Sequence, residues 1–161
     1  MAELDNVDRG ILHELQVDAR NTTAQEIADK VGVSASTVRN RIEHLEEVGV
    51  IEGYHPKLNY EAANLPLQIL FVCTAPPDER ADLVEKILDI RGIVEVRETL
   101  TGHQNLFVEV VADDTSDMVR VSDAIHALGL SVESSEILRQ RRVQPFNHFQ
   151  FDPPDSLEQP E

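Results

Sequence analysis

The chain's 161 residues allow one ordinary domain or two small ones, and with 41% of them hydrophobic they can bury a real core. Only 4% are aromatic and Trp is absent, so that core is expected to be Leu, Ile, Val and Ala. Thirty acidic residues against 14 basic ones leave a net charge of −16, which opposes polyanion binding at low salt, and the single cysteine, Cys73, excludes an intrachain disulfide or a cysteine-based metal cluster.

No apolar run approaches the ~20 residues a membrane span needs. The start, Met1-Ala2-Glu3-Leu4-Asp5, is acidic and lacks the basic and apolar regions of a signal peptide, so a cytoplasmic protein with no membrane partner is expected. Lys30, Lys57 and Lys86 are the only lysines, so arginine carries most of the positive charge. Carboxylate excess, scarce lysine and few large aromatics together point to a cytoplasm of molar salt. There the Debye length is about 3 Å, so global repulsion is screened and local contacts decide binding.

Asp5 is a reasonable helix N-cap, and Val7, Ile11, Leu12 and Leu15 follow at helical spacing. A second helix opens at Thr23 and Glu26, whose spacing is that of a capping box, with Ile27, Ala28 and Val31 facing inward. Gly32 suits the left-handed turn that stops it. Ser34 then caps a third helix, expected over residues 35–48, with Val38, Ile42 and Leu45 on one face and Gly49 at its end. Two helices joined by a short Gly-containing turn predict a helix-turn-helix in residues 22–48. Residues 50–58 are β-prone but broken by Gly53 and Pro56, which suits a short wing or linking strand.

Residues 59–66 read as a linker ending at Pro66. From Leu67 a new pattern begins: an apolar strand to Thr74; a helix with Leu83, Val84, Ile87 and Leu88; and a strand over residues 93–100. After a tight connection at residues 101–104 come a strand over 106–112, a helix capped by Thr115 with Met118, Val121, Ile125 and Leu128, and a last strand over 130–138. The order β-α-β-β-α-β is ferredoxin-like. The fold class is therefore α+β: a (winged) helix-turn-helix domain over residues 1–58, the linker, a ferredoxin-like domain over 67–145, and a tail over 146–161. That tail is Pro-rich and acidic from Asp152 on and expected to be disordered.

The third helix is the candidate recognition element. Ser34, Ser36, Thr37, Arg39, Asn40, Arg41 and His44 occupy its polar positions. Arg suits guanine and Asn suits adenine, whereas hydroxyls suit phosphates. Free N–H groups at the helix start favour phosphate there too. Glu43, Glu46 and Glu47 make the other half acidic, so double-stranded DNA is expected to meet the N-terminal half, with Lys57 as an additional phosphate contact.

The residues Asp8-Arg9-Gly10-Ile11-Leu12, Ile27-Ala28, Val31-Gly32-Val33-Ser34, Thr37-Val38, Arg41-Ile42, Leu45-Glu46, Gly49-Val50-Ile51 and Gly53-Tyr54 resemble the Lrp/AsnC family of regulators, and the β-α-β-β-α-β unit is similar to that family's effector-binding, dimerising domain. The resemblance implies sheet-paired dimers on a palindromic operator, assembly up to octamers, and an amino-acid-like effector. It implies no cofactor, no bound metal and no catalysis. The family places a Gly-x-x-Asp turn between its second and third strands. Here the turn is Gly102-His103-Gln104-Asn105, with a neutral amide at the acidic position. Thr99, Thr101, Gly102, His103 and Asn105, with Ser134 and Ser135 from the last strand, are the candidate effector residues; a hairpin turn chosen for backbone shape explains Gly102 to Asn105 equally well.

Two other classes stay open on the residues. The segment His103-Gln104-Asn105-Leu106-Phe107 loosely resembles the siroheme decarboxylases, enzymes with a similar two-domain arrangement. A ligand-sensing adaptor whose helix-turn-helix contacts only protein would explain the acidity.

Overall fold

The computed structural model describes residues 3–150. They fall into two compact units: one takes in the chain up to Pro56 and again from Arg142, and the other runs Lys57–Arg141.

In the first unit α1 (Asn6–Asp18), α2 (Ala24–Val31) and α3 (Ala35–Glu47) enclose Ile11, Leu12, Ile27, Ala28, Val31, Val38 and Leu45. Each start is fixed by its own sequence. Asp5 and Asp8 form a reciprocal capping box at α1, Thr23 and Glu26 another at α2, and the Ser34 hydroxyl caps α3. Gly32, at φ 75°, makes the left-handed turn between α2 and α3. A Cβ there would meet no neighbour, so backbone shape rather than crowding favours glycine. No strand forms over residues 50–58: Gly53 and Pro56 interrupt the segment, and no strand lies alongside to pair with it among the described residues. The expected wing is thus irregular chain. It is held by the Tyr54 hydroxyl, which donates to Glu46 at 2.8 Å.

The expected disordered tail also needs correction. Asn147–Phe149 form a 3-10 turn, and Phe149 packs into the core of the first unit. Partial burial of the Phe149 ring gives this stretch its place, and the acidic, Pro-rich composition that suggested disorder begins only at Asp152. Asp152 to Glu161 lie outside the described residues.

The second unit opens with a 3-10 turn at Glu61–Ala63, inside the expected linker. It continues β1 (Leu67–Thr74), α4 (Arg80–Leu88), β2 (Ile93–Glu98), β3 (Leu106–Ala112), α5 (Thr115–Ala127) and β4 (Ser131–Ile137). All pairings are antiparallel in the order β2-β3-β1-β4, the ferredoxin-like sheet. Alternation decides the faces. Ile69, Phe71, Cys73, Leu106, Val108, Val110 and Ala112 meet Leu83 and Ile87 of α4 and Val121 and Ile125 of α5. Leu70, Val72, Phe107, Glu109 and Val111 point to the helix-free face. Asp114, not Thr115, caps α5, accepting from the N–H groups of Ser116 and Asp117.

Candidate nucleic-acid interface

The N-terminal end of α3 is built from hydroxyls and free donors. Ser34 Oγ accepts from the Thr37 N–H at 3.1 Å and lies 2.9 Å from Ser36 Oγ and 2.8 Å from Thr37 Oγ1. The first turn has no acidic residue, so the positive end of the helix is uncompensated. Ser36, Arg39 and Asn40 are spaced i, i+3, i+4 and therefore share a face. Arg39, Asn40 and His44 are exposed, and their side chains have no hydrogen-bond or ion-pair partner among the described residues. Behind them Val38 and Leu45 are buried in the core. The acidic residues Glu43, Glu46 and Glu47 occupy the C-terminal half.

Arg41 behaves differently from the residues grouped with it above. Its Nη1 lies 3.0 Å from Asp5 Oδ2 and donates to both carboxylate oxygens of Asp8, at 3.2 and 3.3 Å. Asp8 is only 5% exposed. The two carboxylates that cap α1 therefore hold α3 through this guanidinium. The hydrogen bond from the Asp8 N–H, aided by the Arg41 charge, keeps the Asp5 carboxyl below its usual pKa. Asp5 was legible as a cap. Its second role, and that of Asp8, needs the crossing of α1 and α3, which sequence spacing does not give. Lys57 belongs to the second unit and is exposed.

The turn from Thr99 to Gln104 is organised by its own backbone. Thr99 Oγ1 donates to the carbonyls of Thr101 and Gln104, Thr74 Oγ1 donates to that of His103, and Arg80 Nη1 donates to that of Thr99. Gly102 has φ 103°, a conformation a side chain would strain. Asn105 is buried. Its Oδ1 accepts from the Ala75 N–H and its Nδ2 donates to the Ala75 carbonyl, both at 2.9 Å, so the amide prolongs the β1–β3 pairing. Thr101, Gly102 and His103 are exposed at the turn. Ser134 and Ser135 pair with Val72 and Phe71 on β4, the edge opposite β2, and point to opposite faces; within one chain the structure does not bring both to the turn. Cys73 is a core residue, its thiol pushed up to about 11 by burial and the nearby Glu133 charge. Among the described residues no group of three His, Cys, Asp or Glu side chains is arranged to hold a metal, and no helix is long and apolar enough to cross a membrane.

A three-helix head with a capped, polar third helix, followed by a ferredoxin-like sheet domain, defines a helix-turn-helix DNA-binding regulator. Comparison with known proteins narrows this. Residues 4–46 match the AsnC-type helix-turn-helix domain. The HTH-type transcriptional regulator LysM of Sulfurisphaera tokodaii is 34% identical over 141 residues, which is 86% of this chain and 98% of LysM. The crystal structure of MtbAldR superposes with a TM-score of 0.72 at 27% identity, covering 89% of this chain and 99% of that one. A regulator from Neisseria meningitidis, NMB0573, solved as a complex with L-Met, shares the fold at a TM-score of 0.73 and 24% identity, over 89% of this chain and 94% of its own. The chain belongs to the Lrp/AsnC family of transcriptional regulators.

Proposed function

We propose that this regulator reads a palindromic operator with the N-terminal half of α3. In this reading Ser34, Ser36 and Thr37 meet phosphates, Arg39 and Asn40 meet base edges, and His44 and Lys57 add outer contacts. The observation that carries it is the contrast within one helix: Arg39 and Asn40 are free while Arg41 is tied to Asp5 and Asp8. A gel-shift and footprint on genomic fragments in molar KCl tests it, the wild-type chain protecting discrete sites and Arg39→Ala and Asn40→Ala losing them.

Two copies supply the two half-sites. The sheet face opposite α4 and α5 supports pairing, since Leu70 and Phe107, both half-buried, present apolar surface there. Octamers follow if dimers associate further.

A small effector, amino-acid-like by analogy with the L-Met complex, is proposed at the Gly102 turn, contacting Thr99, Thr101, Gly102 and His103. Asn105 frames the turn rather than meeting an ammonium group, because both ends of its amide are bonded to Ala75. We read the chain as a non-enzymatic regulator, as its relatives are regulators by name, working in a cytoplasm of molar salt.

A further inference from the structure

We propose that the C-terminal arm, residues 145–150, is a positioning element of the DNA-reading head, acting through α1 on α3; this rests on the reading of α3 given above. The arm lies a hundred residues beyond the AsnC-type match at residues 4–46, yet it belongs to the same compact unit. Two kinds of contact fix it there. The Phe146 N–H donates to Gln16 Oε1 on α1 at 3.1 Å, while Gln16 Nε2 donates to the Leu12 carbonyl, which holds that side chain against its own helix. Phe149, half-buried, packs against the core that Ile11 and Leu12 of α1 share with Val38 and Leu45 of α3. Phe146 stacks edge-on against Phe149 with ring centroids 4.9 Å apart, which braces the hook.

From α1 the constraint passes to the reading helix. The N-terminal end of α1 carries Asp5 and Asp8, and these hold Arg41 in the middle of α3. Arg41 sits one residue after Asn40 and two after Arg39. An α1 that loses its outer support lets this anchor shift, and with it the aim of the two free side chains. The arm also makes the reading head discontinuous in sequence: the chain enters the sheet unit after Pro56 and returns after Arg141, so the head is attached to the end of β4 as well as to the start of β1. A fragment ending before residue 57 therefore lacks part of its own core.

The test uses the full chain and its Phe149→Ala, Phe149→Leu and Gln16→Ala variants in molar KCl. The probe is the duplex that the wild-type chain selects from a random library. Affinity is read by fluorescence anisotropy and backbone protection by hydrogen exchange. Phe149→Ala is expected to bind about tenfold more weakly, with faster exchange in α1 and the first turns of α3 and unchanged exchange in β1 and β3. Phe149→Leu recovers most of the affinity, and Gln16→Ala gives a smaller loss. Affinity within twofold of wild type for Phe149→Ala, or exchange rising equally in the sheet unit, overturns the proposal. If the wild-type chain selects no motif, the DNA reading of α3 fails instead, and protection of α1 alone decides whether the arm is docked there.

Discussion

Replacing Arg41 with Ala separates an anchor from a reader. The change leaves Asp8, 5% exposed, with the Asp5 N–H as its remaining partner at 3.2 Å, and removes the guanidinium facing Asp5. Breaking a fully buried pair costs roughly 3–5 kcal/mol, whereas an exposed pair is worth about 0–1 kcal/mol. The Arg41 side chain is 40% exposed and that of Asp8 7%, so the loss falls between these limits, about 1–2 kcal/mol. In a unit this small that lowers melting by roughly 5–15 °C. Arg39→Ala removes a side chain with no internal partner and shifts stability by at most about 0.5 kcal/mol. Thermal unfolding at fixed protein concentration, with a double-mutant cycle through Asp8→Asn, measures the coupling. If Arg41→Ala melts with the wild-type chain and loses DNA as Arg39→Ala does, the anchor assignment is wrong and Arg41 is a reader.

Other expectations follow from the same geometry. Asn105→Asp is expected to destabilise the sheet unit by about 1–3 kcal/mol, because it leaves the Ala75 carbonyl without its donor in a buried site; unchanged or raised melting refutes this. Asp5, Glu26 and Asp114 are held below their ordinary pKa values, chiefly by hydrogen bonds from Asp8, Thr23 and Ser116 respectively. A depressed carboxyl stabilises the fold fully above its unfolded value of 3.8 or 4.5 and loses that contribution as pH falls through the folded value. In molar KCl the helical circular-dichroism signal should therefore hold from neutrality to just above those values and decline below them; a signal flat through that window contradicts the capping account. Dilute buffer is expected to lower the melting temperature relative to molar KCl, since the Debye length grows from about 3 Å to about 30 Å and the carboxylates of a −16 chain then repel at long range. Equal melting in both would refute the high-salt reading.

Local chemistry was the legible part of this chain. Thr23, Glu26, Gly32 and Ser34 act within four residues of themselves, so spacing alone placed α2, its stop and the start of α3. Strands β1 and β3 were legible because both faces are largely buried and their apolar runs are interrupted only by Gln68 and Glu109. The misses share a cause: each depends on a partner distant in sequence. Arg41 reads as a DNA contact until α1 brings Asp8 to it, 33 residues away. Asn105 reads as a ligand residue until Ala75 is found opposite. Phe149 reads as part of a tail until the core of the first unit, built from residues more than a hundred positions earlier, is found beside it. The wing failed for the opposite reason, since β-prone residues 50–58 found no strand to pair with.

The most direct test of the central claim is selection of duplex DNA by the purified chain in molar KCl, repeated with Arg39→Ala and Asn40→Ala. If the N-terminal half of α3 reads base edges, the wild-type chain enriches a two-fold symmetric motif. Each variant then relaxes preference at particular positions in both half-sites, at a cost of about 1–3 kcal/mol each. No enriched motif, or the same motif at the same affinity from both variants, would contradict it.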